Sequence, residues 1–278
     1  MAINWLSLGS IYCLLAVGLS LLFGVMEIPN FAHGGVFTLA AYIVLSALAF
    51  SGSYSASIVS GIVLIGAIGV LLLKTVFSRL ELVPMTDIMM LTFGLGMAIQ
   101  GLEFMLWKAD YQTLPSLVEG SIDFYGSICS NQRMIAIAAP IAAMTSLDLF
   151  LKRTNLGKAV QATQQDREAA KVLGINTELI YVITMAVSFG LVGLAAVLLC
   201  PIILLYPPQA DFITLKTFAI IIFGGMGSIK GALISSYLVA FIETIVAGYI
   251  SFQYKEMIAF VLLFAVVAIR PQGLLGRD

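Results

Sequence analysis

The residues best suited to handle a solute interrupt apolar runs of this sequence. Asn, His and paired Gly occupy positions 30 to 35 directly after Pro29, which predicts a broken helix. At membrane depth, irregular backbone is tolerated only where it is buried in protein or lines a wet cavity. A second break is predicted between Gly224 and Gly231, and paired breaks indicate a transport pathway. The candidate pathway residues at the two breaks are Asn30, Phe31, His33, Gly34, Gly224 and Gly225.

Each of these polar side chains also has a structural interpretation. Asn30 and His33, the only histidine, equally fit a cap on the second helix at the cytoplasmic interface. Glu243 lies in an apolar run, where inserting an acidic residue costs about 2.5 to 3.5 kcal/mol, so it needs a partner or water. It is a candidate for the pathway near the outer opening, or for an interhelical hydrogen bond. Glu103 lies nearer the outer end of its run, which favours solvation at the interface.

Several classes of chemistry lack the residues they require. The sequence has no G-x-x-x-x-G-K-[ST] loop, so the chain cannot hydrolyse ATP by the P-loop route. A single His, without a metal-ligand cluster, a Ser-His-Asp set or a carboxylate pair, gives an intramembrane enzyme little support. A net charge of -1 without a basic block argues against nucleic acid as a partner. We therefore predict no catalytic residue, cofactor or metal, and no redox site at Cys13, Cys129 or Cys200.

Membrane helices must position the candidate residues. Of 278 residues, 60% are hydrophobic and 10% are charged, too apolar a composition for one aqueous core. We predict a single domain over 1–278, an all-α polytopic membrane helix bundle with about eight to nine transmembrane segments, some broken or re-entrant. The run at 211 to 226 is short enough for a half-helix. The runs lie at roughly 5–25, 31–50, 56–77, 86–107, 133–151, 179–200, 211–226, 231–250 and 255–270.

The charges predict an orientation. Residues 152 to 178 form the only strongly polar and basic stretch, which the positive-inside rule assigns to the cytoplasm. Alternation then puts residues 108 to 132 outside and, with nine segments, the N-terminus outside as well. The basic residues predicted on the cytoplasmic side are Lys74, Arg79, Lys152, Arg153, Lys158, Arg167, Lys171, Arg270 and Arg277.

The cytoplasmic loop predicts a short helix that ends sharply. Gly174 fits a left-handed residue after the helix, followed by apolar Ile175 as in a Schellman motif. Thr177 is then the predicted N-cap of the sixth membrane helix, with Glu178 in its first turn. Such a helix is either a solvated connector or a surface on which a cytoplasmic motor acts. One face of the predicted helix carries Ala159, Ala162, Ala169, Val172 and Leu173.

The end of this loop resembles a known motif. The stretch from Glu168 to Gly174 reads EAAKVLG, similar to the Glu-Ala-Ala, three residues, Gly core of the cytoplasmic loop of ABC import permeases. In those permeases the loop is the docking element for the ATPase. The resemblance therefore implies that residues 152 to 178 form a docking loop. The implied docking residues are Asp166, Arg167, Glu168, Ala169, Ala170 and Gly174.

Five further islands, in the same order along the chain, resemble the branched-chain amino acid permease family more narrowly. They occur near the start, at both predicted breaks, after the docking helix and near the end of the sequence. Their distribution over nearly the whole chain makes the resemblance specific. The islands are LGSIY at 8–12, IPNFAHG at 28–34, LGINT at 173–177, FGGMGSI at 223–229 and RPQGLLG at 270–276.

Membership of that family would imply a heteromeric importer in the prokaryotic plasma (inner) membrane. Its parts would be this permease, a second homologous permease, two cytoplasmic ATPase subunits that use the ATP, and an extracytoplasmic solute-binding protein, with membrane lipid around it. The implied substrates are branched-chain or other hydrophobic amino acids, and the alternatives are urea or short amides. A stand-alone proton-coupled carrier, using Glu243 or His33, is a further alternative.

Overall fold

The computed structural model describes residues 1–77, 83–118, 120–124, 127–251, 254–269 and 272–275. The predicted cytoplasmic residues Arg79, Arg270 and Arg277 lie outside these ranges, as does part of the island at 270–276. The described elements, in chain order, are α1 (Ala2–Met26), α2 (His33–Ser51), α3 (Tyr54–Thr75), α4 (Met85–Trp107), β1 (Ser121–Phe124), β2 (Ser127–Ser130), α5 (Asn131–Arg153), α6 (Asn155–Gln165), α7 (Arg167–Val172), α8 (Thr177–Leu199), α9 (Gln209–Gly224), α10 (Ile229–Tyr249) and α11 (Lys255–Ile269).

Each predicted apolar run contains one helix. Within the described ranges, the seven helices α1 to α5, α8 and α10 are long and apolar enough to cross a membrane. Helix α9 has 16 residues and α11 has 15, so both are short for a full span. The all-α polytopic bundle is confirmed, with about eight to nine segments as an approximate count. A two-stranded antiparallel hairpin of β1 and β2 is an addition that the apolar pattern did not indicate.

Helix α1 forms the centre of the bundle. It is buried continuously from Ser7 to Leu22 and packs against α5, α8, α9 and α10. Small residues allow these helices to approach closely, as at Gly69 against Phe189 and Gly193 against Ile65. Helices α4 and α5 leave most of their apolar side chains on the outside, as expected for surfaces that face lipid.

The two polar loops lie at opposite ends of the bundle. At the start of α3, the Tyr54 hydroxyl donates to the carbonyl of Pro115 in the 108–132 loop. At the other end of α3, Lys74 borders a cavity together with Arg167 of the 152–178 loop. Tyr54 and Lys74 are 20 residues apart in α3, which separates the two points by about 30 Å at 1.5 Å per residue. Which end faces the cytoplasm remains a prediction from the Lys and Arg bias.

Candidate functional site

The first break lies deep in the bundle. Helix α1 ends at Met26, residues 27–32 run back between the helices, and α2 begins at His33. His33 Nε2 is 3.1 Å from the carbonyl oxygen of Leu15, near the middle of the 25-residue α1. Half of α1 corresponds to about 19 Å of depth, so α2 starts inside the protein and not at the surface where α1 ends. Asn30 does support the helix start there, because its Oδ1 accepts a hydrogen bond from the Ala32 N–H.

Hydroxyl groups from two other helices hold the first break. The Thr92 hydroxyl of α4 accepts from the Phe31 N–H at 3.2 Å and lies 3.0 Å from the Pro29 carbonyl. The Thr214 hydroxyl of α9 accepts from the Gly34 N–H at 3.0 Å. Gly34 is packed so closely on α9 that a Cβ atom would collide with the carbonyl of Ala210. Side-chain hydroxyls therefore satisfy backbone groups that the missing helical turn leaves open.

Aromatic stacking adds to this contact. The Phe31 ring lies on the Phe218 ring of α9, with 4.3 Å between the ring centroids and 13° between the planes. Phe31 is half-buried, whereas Asn30 and His33 are fully buried. In this conformation His33 Nε2 and Asn30 Oδ1 contact the protein itself, whereas His33 Nδ1 has no hydrogen-bond partner among the described residues. Their role beside a pathway remains a prediction.

The second break is built from glycine and backbone contacts. Gly224 and Gly231 lie so close that a Cβ atom on either would meet the backbone of the other. Between them, Gly225 and Gly227 have φ angles of 99° and 78°, which favour glycine. The Ser228 hydroxyl caps α10 by accepting from the Gly231 N–H at 3.1 Å. The N–H groups of residues 274 and 275 donate to the carbonyls of residues 223 and 224, so the C-terminal segment closes α9.

Glu243 has a partner that the sequence interpretation missed. Its side chain is fully buried in α10, and Oε1 lies 2.8 Å from Nζ of Lys216 in α9. The Tyr12 hydroxyl of α1 donates to Oε2 at 2.8 Å, and Lys216 Nζ is 3.2 Å from the same hydroxyl. The three residues form a closed polar cluster that joins α1, α9 and α10. The sequence does carry a signal for this pair, because one apolar run, 211–226, contains a lysine and the next run contains a glutamate.

Five of the seven predicted pathway residues lie on α9, directly after it or in contact with it, whereas the side-chain hydrogen bonds of Asn30 and His33 go to Ala32 and to Leu15 of α1. Gly34 contacts Thr214, Phe31 stacks on Phe218, and Glu243 pairs with Lys216. Gly224 ends the same helix, and Gly225 follows it. This short helix is the common scaffold of both breaks and of the buried ion pair.

The expectation for Glu103 is wrong. The structure buries this residue completely, and Thr38 Oγ1 of α2 donates to Glu103 Oε1 at 2.7 Å. Helix α2 covers this part of α4, where Tyr42 also stacks on Trp107 with 4.9 Å between the ring centroids. The position of Glu103 along its own run did not reveal that a neighbouring helix shields it from the interface.

The docking loop consists of two helices, which corrects the prediction of one. Asp166 leaves helical geometry with φ of -155°, and its carboxylate caps α7 by accepting from the Ala169 N–H at 2.9 Å. The predicted end of the segment is confirmed, since Gly174 has φ of 80° and the Ile175 N–H donates to the Ala170 carbonyl. The cap of α8 is Asn176, one residue before the predicted Thr177.

The predicted docking residues separate into two groups. Ala170 is buried, and the Arg167 guanidinium lies 5.2 Å from the ring centroid of Tyr181 in α8, so both attach α7 to the bundle. The apolar neighbours Val172 and Leu173 are 86% and 79% exposed. The remaining predicted docking residues, all exposed, are Asp166, Glu168, Ala169 and Gly174.

The described residues include no group of three or more His, Cys, Asp or Glu that fits a metal ion.

Comparisons with known proteins agree with this architecture. The family described as "Branched-chain amino acid transport system / permease component" matches residues 1–267. The high-affinity branched-chain amino acid transport system permease protein LivH of Escherichia coli K12 is 29% identical over 290 residues, covering 99% of this chain and 94% of LivH. The corresponding protein BraD of Pseudomonas aeruginosa is 30% identical over 294 residues, with the same coverage.

A more distant relative extends the comparison to archaea. The probable branched-chain amino acid transport permease protein LivH of Methanocaldococcus jannaschii is 27% identical over 281 residues, covering 95% of this chain and 88% of that protein. Full-length matches and seven helices that can cross a membrane identify a multi-pass inner-membrane protein. The chain belongs to the family of branched-chain amino acid transport permease components.

Proposed function

We propose that this chain is the membrane-spanning subunit of an ABC importer for branched-chain or other apolar amino acids. Separate cytoplasmic ATPases would supply the energy, a second homologous permease would complete the membrane channel, and an extracytoplasmic binding protein would deliver the substrate. The similarity to branched-chain amino acid transport permeases supports the substrate class. The exposed apolar end of α7 supports the ATPase partnership, because Val172 and Leu173 leave a large apolar surface on a water-facing segment.

The contacts of the docking loop suggest how it acts on the membrane segments. Through the contact of Arg167 with Tyr181, α7 is attached to α8. Helix α6 reaches the second break, since Gln164 Nε2 donates to the Gly227 carbonyl at 2.9 Å. A push on α6 and α7 from an ATPase would therefore act at the end of α9. Because α9 also holds the first break, both breaks would respond to one movement.

The proposed pathway residues lie at the two breaks and at the buried ion pair, and most of them meet α9. They comprise the polar start of α2, the glycine contact at the second break and the buried carboxylate of α10. We propose that Asn30, Phe31, His33, Gly34, Gly224, Gly225 and Glu243 line the pathway, or support its wall, when α9 moves.

The stand-alone carrier fits the contacts less well. The Glu243 carboxylate already has Lys216 and Tyr12 as partners, and His33 Nε2 lies against the Leu15 carbonyl. A coupling residue needs access to protons, and these two groups are closed off within the described part of the protein.

Co-purification tests the ATPase partnership directly. Val172→Asp and Leu173→Asp place a charge in the proposed interface, and removing such an apolar anchor costs about 2 kcal/mol, or roughly thirtyfold in affinity. We expect the ATPase subunits to be lost from the purified complex, together with substrate-stimulated ATP hydrolysis. Leu204→Asp is the matched control, because Leu204 is 52% exposed in the loop before α9.

Two results would contradict this proposal. The α7 variants would retain the ATPase subunits at parental levels, or reconstituted transport would follow a proton gradient without ATP. Competition of leucine uptake by urea and acetamide separates the substrate alternatives, since an amino acid site should be indifferent to both.

A further inference from the structure

The cavity bordered by Lys74 and Arg167 lies apart from the pathway residues, at the end of the bundle that carries the predicted docking loop. Its volume is about 400 Å³, within the roughly 300 to 1,000 Å³ of small-molecule sites. The ends of α1 and α3 and the starts of α4, α7 and α8 surround it. The residues that line it are Met26, Glu27, Ile28, Leu73, Lys74, Phe77, Val83, Met85, Ile88, Arg167, Glu178, Tyr181 and Val182.

The lining has two chemically distinct parts. Leu73, Phe77 and Ile88 are buried and give the cavity an apolar floor. Among the described lining residues, the rim carries two acidic and two basic side chains, with Glu27, Lys74 and Glu178 on the exposed side. The second cation is the guanidinium of Arg167. An apolar floor below charges of both signs matches a ligand with one apolar end and one zwitterionic end.

The backbone at Glu27 adds an independent observation. Glu27 follows α1 in the left-handed conformation with φ of 57°, and its N–H donates to the Phe23 carbonyl. Glycine is the usual residue at this position of a helix end, because other residues are strained there. Strained residues of this kind cluster at ligand sites. Here the strained residue holds a carboxylate at the rim of the cavity.

We propose that this cavity binds a zwitterionic apolar amino acid from the cytoplasm. The ligand's side chain lies on the apolar floor, its carboxylate meets Lys74 and Arg167, and its ammonium group meets Glu27 and Glu178. An acidic phospholipid fits less well, because the two carboxylates repel its head group and its acyl chains exceed the volume. Urea has neither an apolar end nor a charge.

The position of the cavity gives the ligand a regulatory consequence, which rests on the proposed function. Arg167 belongs to the docking helix α7 and contacts Tyr181 of α8, and both residues line the cavity. A bound amino acid would bridge α3, α7 and α8 and resist movement of α7 relative to the membrane segments. The imported product would therefore slow ATP hydrolysis when it accumulates inside.

The test uses the complete importer in lipid nanodiscs without its binding protein. L-Leucine is the probe, with 4-methylpentanoate and leucinol as analogues that lack the ammonium and the carboxylate. We expect leucine to bind in equilibrium dialysis and to lower ATP hydrolysis several-fold. Each analogue should bind about tenfold more weakly, the loss expected for one charge-assisted hydrogen bond.

Variants locate the binding. Lys74→Gln and Glu178→Gln at the exposed rim should each weaken leucine binding about tenfold. Val182→Trp should fill the cavity and abolish the inhibition of ATP hydrolysis. Asp148→Asn is the control for Glu178→Gln, because Asp148 is an exposed acid on α5 that does not line the cavity.

Three outcomes would overturn the proposal. Leucine would have no effect on ATP hydrolysis, or its binding would be equal in the rim variants and Asp148→Asn, or the rim variants would change only the amount of co-purified phospholipid. In each case the ATPase subunits still co-purify with the parental chain if the proposed function is correct. Failure of the site is thereby separated from failure of the importer assignment.

Discussion

The two breaks in the membrane segments are built differently, although both meet α9. At the first break, the hydroxyl groups of Thr92 and Thr214 accept hydrogen bonds from backbone N–H groups, and Asn30 supports the start of α2. At the second break, Gly224 and Gly231 touch through their backbones. Hydrogen bonds to hydroxyls can exchange partners when helices shift, whereas a glycine contact has no side chain to adjust. The first break also has a close glycine contact, between Gly34 and the Ala210 backbone, but only there do two hydroxyl groups add exchangeable hydrogen bonds, so we infer that the first break is the more adjustable of the two.

Among the contacts of α9, we expect the buried ion pair between Lys216 and Glu243 to have the largest effect on stability. Removing one partner of a buried pair costs about 3 to 5 kcal/mol, since the other charge is left uncompensated. Glu243→Gln keeps the shape and the Tyr12 contact but leaves Lys216 without its counter-charge. We expect a large fall in the thermal midpoint of the purified complex. Both breaks should lose their position together, because both depend on α9.

The double variant Glu243→Gln with Lys216→Met provides the control for this prediction. It removes the stranded charge, so it should recover part of the lost stability. A double variant less stable than Glu243→Gln would show that the pair does not anchor α9 electrostatically. Asp148→Asn, at an exposed surface pair, should change the midpoint little.

The rigidity of the second break predicts a smaller but distinct effect. Gly224→Ala places a Cβ atom against the Gly231 backbone, and such overpacking costs about 1 to 3 kcal/mol. Gly94→Ala and Gly190→Ala are matched controls, because nothing lies within 4 Å of a Cβ at either position. We expect a lowered thermal midpoint for Gly224→Ala alone. Equal midpoints in all three variants would remove the distinction between the two breaks.

The sequence predicted the features that are local or that repeat along a helix. Hydropathy over about 20 residues located every membrane segment, because spanning a bilayer requires that length. The left-handed end at Gly174 was also predictable, since glycine tolerates positive φ. The same length requirement predicted that the short run containing α9 could be a half-helix.

The sequence did not predict features that depend on how the helices pack. The depth of His33 depends on which part of α1 lies beside it, and the burial of Glu103 depends on α2. Lys216 and Glu243 are distant in sequence, so their pairing appears only when α9 and α10 are brought together. The sequence did not predict the interruption between α6 and α7 at Asp166, because the residue types around it also occur within helices.

The first break should respond moderately to the loss of one hydroxyl. Thr214→Val keeps the size of the side chain but removes the acceptor for the buried Gly34 N–H, which costs about 1 to 3 kcal/mol. Thr217→Val is the control on the same helix, because its hydroxyl donates only to the Ile213 carbonyl one turn earlier. A substrate uptake assay should show a larger fall for Thr214→Val than for Thr217→Val. The opposite order would argue that the first break does not adjust during transport.

We expect the smallest effect on stability from a substitution where α6 meets the second break. The same substitution should specifically reduce the coupling of ATP hydrolysis to transport. Gln164→Ala removes the hydrogen bond to the Gly227 carbonyl, while Gln165→Ala changes an exposed neighbour on the same helix. Surface substitutions usually change stability by less than about 0.5 kcal/mol, so both proteins should fold and retain their ATPase subunits. A push on α6 reaches the second break directly through this hydrogen bond. The amount of substrate imported per ATP should therefore fall by about two- to tenfold in Gln164→Ala and stay constant in Gln165→Ala. Equal ratios in the two variants would mean that the hydrogen bond of Gln164 transmits nothing from α6 to the second break.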